Sequence, residues 1–179
     1  MRFVISVTNM KLLKLLLLCF GISIMAISCS KQFNHAYQIS KEYDQSEDRT
    51  YFRLQKMRVV EQSSPLYQSL DFSPHLVRSS KLNEDGAYLL FYGSDKAKYK
   101  DDAHLEISAG GEKLELSPED FGRSASEEND AVLLYKLSLD RFQRVVSAKE
   151  VDMSLGDVRF QMKADQLEAL RDLYNRAVS

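Results

Sequence analysis

The sequence predicts an α+β domain built on an antiparallel β-sheet, and three local patterns carry that prediction. Two glycine-containing dipeptides, Gly110-Gly111 and Gly156-Asp157, stand where a two-residue hairpin turn sets apolar residues opposite one another along both arms. The chain closes on a run, residues 165–178, whose leucines recur at helical spacing. Most links between the predicted strands are too short for the crossover of a parallel βαβ unit. The expected architecture is an antiparallel sheet of about seven to eight strands, with a short internal helix and a C-terminal helix packed on it. A β-sandwich with an appended helix is the alternative.

A leader precedes this domain. Arg2, Lys11 and Lys14 lead into the apolar run Leu15 to Ile27, and no carboxylate occurs before Glu42. The run ends in Ala26-Ile27-Ser28-Cys29, so a cationic start, an apolar segment and a small residue ahead of a cut follow in the order a secretory signal requires. This segment resembles the lipobox of bacterial lipoproteins, with Ala26 where that family prefers Leu and Ser28 where it prefers Ala or Gly. The resemblance covers the leader alone. It implies cleavage between Ser28 and Cys29, acyl chains such as palmitate on Cys29, and attachment to membrane lipid in the bacterial cell envelope. In that family an Asp after the cysteine favours inner-membrane retention; Ser30 stands there, which points to the outer membrane. Two or more acyl chains, at about 0.8 kcal/mol per buried CH₂, make such an anchor permanent.

Two other readings of the leader stay open. An uncleaved membrane span needs roughly 20 apolar residues, more than lie between Lys14 and Lys31. An ordinary secretory signal would leave Cys29 merely near the cut. Translation from Met10 in place of Met1 would give a tidier charged start.

The expected organisation is residues 1–28 as signal, 29–49 as lipidated N-terminus and tether, and 50–179 as one globular domain. Cys19 is discarded with the signal and Cys29 is acylated, so no disulfide can support the fold. The remaining stretch of about 150 residues is long enough to bury close to 70% of its unfolded surface. Residues 30–49 mix charges with isolated Phe33, Tyr37, Ile39 and Tyr43. As a flexible tether they would span on the order of 25 Å, while the aromatic residues leave open that the second half packs on the domain.

Thr50 to Val60 reads as a strand whose apolar parity switches between Leu54 and Met57, and a bulge near Gln55 would restore the face. Asp85-Gly86 is a third candidate turn, setting Leu82 opposite Leu89. Ala87 to Tyr92 is apolar on both faces, as in a central strand. A turn at Gly110-Gly111 pairs Ile107 with Leu114 and Leu105 with Leu116. Ser117 to Asp120 has the composition of a brief helical turn.

Val132 to Leu137 is a strand, followed by a helix whose Leu139, Phe142, Val145 and Val146 share a face. A turn at Gly156-Asp157 pairs Leu155 with Val158, Met153 with Phe160 and Val151 with Met162; a one-residue slip would expose both apolar sets. In the last helix Asp165 and Glu168 read as a capping box, and Leu167, Leu170, Leu173, Tyr174, Ala177 and Val178 as the buried stripe. Asp172 and Arg176 form an i,i+4 pair expected on the wet side.

Charge and motif content narrow the function. The net charge is −2, and losing Arg2, Lys11 and Lys14 with the leader makes the remainder more acidic, which argues against a nucleic-acid partner. Gly122-Arg123-Ser124-Ala125-Ser126 lacks the last glycine of a nucleophile elbow, and His35, His75 and His104 all precede Ser124. No H-x-x-x-H, C-x-x-C, P-loop or G-x-G-x-x-G occurs. Asn83 to Gly86 and Glu127 to Asp130 read as a turn and a solvated acidic loop before they read as cation sites, so no metal and no cofactor is expected.

Lys96, Lys98, Tyr99 and Lys100 form the one surface feature with the chemistry to hold an anionic glycan or phosphate. Alternate lysines also guard sheet edges against aggregation, and that role weighs more. Lys56 and Arg58 are candidates for the same surface. The preferred function is a membrane-anchored envelope lipoprotein with a noncatalytic binding or assembly role, engaging a protein or envelope polymer. The alternative is a lipid-anchored hydrolase with a dispersed site.

Overall fold

Alternation in Arg49 to Leu54 sends Phe52 and Leu54 to one face and Arg49, Tyr51 and Arg53 to the other, and this parity organises the molecule. The computed structural model describes residues 33–60, 69–80, 85–93, 103–118 and 131–179, with only the backbone at 131 and 132. They lie in a compact unit, Phe33–Ser179. In chain order its elements are β1 (Ile39–Asp44), β2 (Arg49–Leu54), β3 (Met57–Val60), β4 (Leu70–Ser79), β5 (Gly86–Gly93), β6 (Leu105–Ala109), β7 (Glu112–Leu116), β8 (Ala131–Leu137), α1 (Leu139–Ser147), β9 (Val151–Leu155), β10 (Val158–Gln161) and α2 (Ala164–Val178).

Two antiparallel sheets result. The larger has six strands in the order β1-β2-β4-β5-β8, with β3 also on β4; the smaller runs β10-β9-β6-β7. The class is therefore α+β, as predicted, but with two sheets in place of one and ten strands among the described residues.

Strands β2 and β3 are halves of one strand broken at Gln55-Lys56. Arg53 lies opposite His75 and Met57 opposite Phe72, so the break holds one extra residue, which returns Met57 to the face of Phe52 and Leu54. Across from it, Ser73 and Pro74 have no partner in β2 or β3. That gap is why an interior strand tolerates a proline, which has no N–H to give. Ser73 Oγ donates to the Leu54 carbonyl (2.7 Å) where the ladder is interrupted.

Both diglycine-type registers form as expected. Leu105 pairs with Leu116 and Ile107 with Leu114. Gly110 and Gly111 both take positive φ, 58° and 87°, the conformation of a type I′ turn. Leu155 pairs with Val158 and Met153 with Phe160, and Met162 N donates to Val151 O (2.9 Å).

The Asp85-Gly86 turn does not form. Leu89 pairs with Pro74 of β4, and Gly86 is already the first residue of β5; Leu82 lies outside the described residues. Asp85 instead accepts from Ser79 N (2.6 Å) and pairs with Arg78 (2.9 Å), closing a longer β4–β5 link. As its two-sided apolar pattern predicts, β5 is central, between β4 and β8. The helical turn expected at Ser117 runs beyond the described residues after Pro118.

Helix α1 follows β8 at once, capped by Ser138, whose Oγ accepts from Arg141 N (3.3 Å). It buries Phe142, Val145 and Val146. Helix α2 starts two residues earlier than the Asp165 box implies: Lys163 is the N-cap, and Gln166 Oε1 accepts from its N–H (2.9 Å). Asp165 then lies in the first turn, and Glu168 pairs with Arg171 (2.6 Å).

Leu167, Leu170, Leu173 and Ala177 are buried as expected, Tyr174 is partly buried, and Val178 is exposed. Helix α2 packs on β2, β4 and α1, while α1 reaches β5 and β6. Inner-face residues of both sheets and both helices make one core.

The described part of the expected tether, residues 33–49, packs on the domain. Ile39–Asp44 pairs along its whole length with β2, and Ile39 and Tyr37 pack against the core. His35, 6% exposed at its side chain, donates from Nε2 to Asp172 Oδ2 (3.1 Å). That contact also explains why Asp172 is buried and not on the wet side, although its pairing with Arg176 (2.9 Å) forms as expected.

Candidate functional site

With Phe52, Leu76, Leu89, Phe91 and Tyr135 committed to the core, the opposite face of the six-stranded sheet carries their sequence neighbours. The ladders place these in rows across the strands. Arg53, His75, Tyr88 and Lys136 are successive partners on β2, β4, β5 and β8, a row about 14 Å long at strand spacing. Beside it run Tyr51, Val77 and Gly86 on one side and Ser73, Leu90 and Leu134 on the other.

These residues enclose a shallow cavity of about 410 Å³. Val77, Leu90 and Leu134 give it an apolar floor, Tyr51, Tyr88 and His75 its walls, and Arg49 and Arg53 its rim. Gly86, having no side chain, leaves the notch over which Lys136 leans: a Cβ there would sit 3.5 Å from Lys136 Cε.

Cations ride on the tyrosines of this face. The Arg53 guanidinium lies 5.2 Å from the Tyr51 ring centre, Lys136 Nζ 5.6 Å from Tyr88, and Lys56 Nζ 3.8 Å from Tyr92. Each contact holds a charge at a fixed height above an aromatic face, worth about 0.5–1 kcal/mol where water has access. Arg53 also pairs with Glu42 of β1, Arg49 with Glu47 (2.8 Å) and Arg58 with Asp71 (2.5 Å). Lys56 and Lys136 have no carboxylate partner among the described residues. Burial raises the pKa of the Tyr92 phenol, which therefore stays neutral.

His75 is the one group on this face with a large titration shift. Burial, aided by the Arg53 charge, brings it down to about 4, so the ring is neutral near pH 7. Its Nε2 lies 3.3 Å from Ser73 Oγ. The Ser73 hydrogen is spent on the Leu54 carbonyl, so Oγ accepts from His75 Nε2–H, and the proton rests on that nitrogen. The relay ties the wall of the cavity to the β2–β3 bulge.

No family model, curated protein or solved structure matches this chain. The site is therefore read from its own chemistry.

The other uncovered surface is of a different kind. On the outer side of the smaller sheet, Glu106, Ser108, Asp152, Ser154 and Arg159 border a cavity of about 420 Å³, and the β6–β7 tip borders one of about 650 Å³ with Lys113, Lys149 and Glu150. These linings are mostly polar. Met153, Phe160 and Arg159 line the smaller of these beside carboxylates, whereas among the described residues the face of the six-stranded sheet sets an aliphatic floor, tyrosine walls and an arginine rim together.

The residues singled out from sequence fall mostly elsewhere. Ser28, Cys29, Lys96, Lys98, Tyr99 and Lys100 lie outside the described residues, as do Gly122 to Ser126 and Glu127 to Asp130. Lys56 and Arg58 do reach the open face. Among the described residues no three His, Cys, Asp or Glu side chains gather as metal ligands, and no helix is long and apolar enough to cross a membrane.

Histidine and serine meet twice, at His75–Ser73 and at His104–Ser117 (3.4 Å), and neither imidazole has a carboxylate partner among the described residues. Among the described residues neither pair therefore has the third, orienting group of a Ser-His-acid arrangement.

Sequence reasoning missed Arg49, Tyr51, Arg53, His75 and Tyr88. The signal existed in β2, where period-2 reading places a cation, an aromatic and a cation on one face opposite two core residues.

Proposed function

We propose that the chain is a lipid-anchored protein of the bacterial envelope with a noncatalytic binding role, exercised through the open face of the six-stranded sheet. The observation that carries the binding role is the juxtaposition of Val77, Leu90 and Leu134 with Tyr51, Tyr88 and Arg53 on a face that no described element covers. Val77 is already buried, while Leu90 and Leu134 keep part of their surface in water, and a ligand that covers them recovers about 25 cal/mol per Å² of that area.

The lipobox resemblance at Ala26 to Cys29 supports the anchor, with Ser30 favouring the outer membrane. Because His35 is held on α2, the segment from Cys29 to His35 reaches at most about 20 Å at ~3.5 Å per residue. The domain therefore works close to the bilayer.

Mass spectrometry of the mature N-terminal peptide tests the anchor. The expected fragment begins at Cys29 and carries acyl mass; an unmodified thiol overturns the assignment. A Cys29→Ser chain is expected in the wash fraction, still folded, and its retention in membranes would place the anchor elsewhere.

A further inference from the structure

The open cavity also indicates the class of its ligand, an inference that rests on the binding role proposed above. We infer that it takes a small soluble amphipathic anion, whose apolar or aromatic body lies on Val77, Leu90 and Leu134 and whose carboxylate or phosphate binds Arg53.

A carboxylate of the chain itself already occupies the Arg53 guanidinium. Glu42 sits on β1 opposite Tyr51, two residues along from Ser40, the partner of Arg53, and its carboxylate rests on the Arg53 guanidinium at the rim of the cavity. Both side chains keep solvent contact, with 61% of Glu42 exposed, so the pair is of the kind that contributes little and exchanges readily. Tyr51 beneath Arg53 fixes the guanidinium in place, and an incoming carboxylate meets a donor that is already oriented. His75, neutral and turned to Ser73, adds no competing charge beside it.

Size and charge select a small molecule over a bilayer. The cavity of about 410 Å³ matches one or two fused rings with a side group. Docking to an anionic bilayer takes several unpaired cations at about 1 kcal/mol each. Glu47, Glu42 and Asp71 stay on this face beside Arg49, Arg53 and Arg58, so among the described residues its excess positive charge is that of Lys56 and Lys136, too little to hold the domain on a charged surface.

The test is calorimetric titration of the full-length protein with 2-naphthoate and with 2-naphthamide, which share a ring system and differ in charge. Naphthoate is expected to bind about tenfold more tightly, the usual scale of a charge-assisted hydrogen bond. Arg53→Gln should bring naphthoate down to the affinity of naphthamide and so erase that preference. Glu42→Gln, which removes the resident carboxylate, should enlarge it.

Equal binding of the two probes, or a preference that survives Arg53→Gln, would overturn the anion assignment and leave the binding face standing. If neither probe binds, the binding face itself is refuted. Displacement of naphthoate by phosphatidylglycerol vesicles would hand the surface to the bilayer and overturn the inference. Thermal melts of each variant show that loss of binding is not loss of fold.

Discussion

Acid is a selective probe of the open face, because His75 charges near pH 6.5 in an unfolded chain but only at about 4 in the folded one. Between these values the unfolded state binds a proton that the folded state refuses. Stability must then rise with pH across the window: the contribution is complete above about 6.5 and is lost progressively as pH falls toward 4. Integrating the two titrations gives a loss of about 2 kcal/mol between pH 7 and pH 5. Part of the ring meets water, and screening reduces this to about 1–2 kcal/mol. Gln at position 75 cannot titrate, yet its amide can still donate toward Ser73 Oγ. Urea unfolding of the parent and His75→Gln at both pH values should therefore show the variant losing less stability by that amount. Parallel losses would mean that His75 is as accessible to protons in the fold as out of it, and the account of burial and Arg53 would fail.

Three further substitutions test the framework around the site. Arg171 reaches from α2 to the last carbonyls of α1, donating to Val146 O (2.8 Å) and Ala148 O (2.8 Å); Arg171→Met should cost about 2–3 kcal/mol in thermal or urea melts, and a loss near zero would show that water replaces it. Tyr135, with its hydroxyl buried against the Ala103 carbonyl, should lose about 1–2 kcal/mol as Phe, because that carbonyl is left unsatisfied; an unchanged melting temperature would contradict the bond. Gly156 has φ 56° and open space around its Cα, so Gly156→Ala should cost about 1 kcal/mol through the backbone alone, with Gly156→Asn milder, and equal stability of all three would argue against the turn.

Legibility of the fold followed local physics. The hairpins at Gly110-Gly111 and Gly156-Asp157 could be placed to the residue because turn geometry and two-sided apolar pairing constrain the same register. The bulge at Gln55-Lys56 was legible for a related reason: a parity switch inside one strand has few other solutions.

Strand β4 was illegible although it is the longest of all. Pro74 interrupts it, Asp71, Ser73 and His75 dilute its pattern, and the proline is acceptable only because β2 and β3 leave a gap opposite it, a fact of tertiary pairing. Asp85-Gly86 misled in the opposite sense, since its local turn chemistry is outweighed by the eight-residue register between β4 and β5. The segment before Thr50 was polar enough to read as tether, and only the His35–Asp172 contact and pairing with β2 reveal it as part of the domain. The site was obscured by the same omission, because with β4 absent neither the His75 row nor the floor at Val77 could be assembled.

An aliphatic floor on an uncovered sheet would ordinarily invite a second sheet, and the molecule has features that discourage this while leaving a small ligand free to enter. Strand β1, at one edge, is solvent-exposed through Ser40 to Tyr43 and carries Lys41 and Glu42, charges that oppose strand addition. At the other edge Lys136 leans across the notch at Gly86. A flat protein surface laid on this face would have to desolvate Lys56 and Lys136 as well as the Arg53–Glu42 pair, each at a cost of several kcal/mol. A ligand no larger than the cavity covers Val77, Leu90 and Leu134 and leaves those ammonium groups in water. On the proposed reading, the Arg53–Glu42 pair that opposes a partner sheet would also supply the guanidinium for an anionic head, so protection from aggregation and selection of the ligand would share that pair.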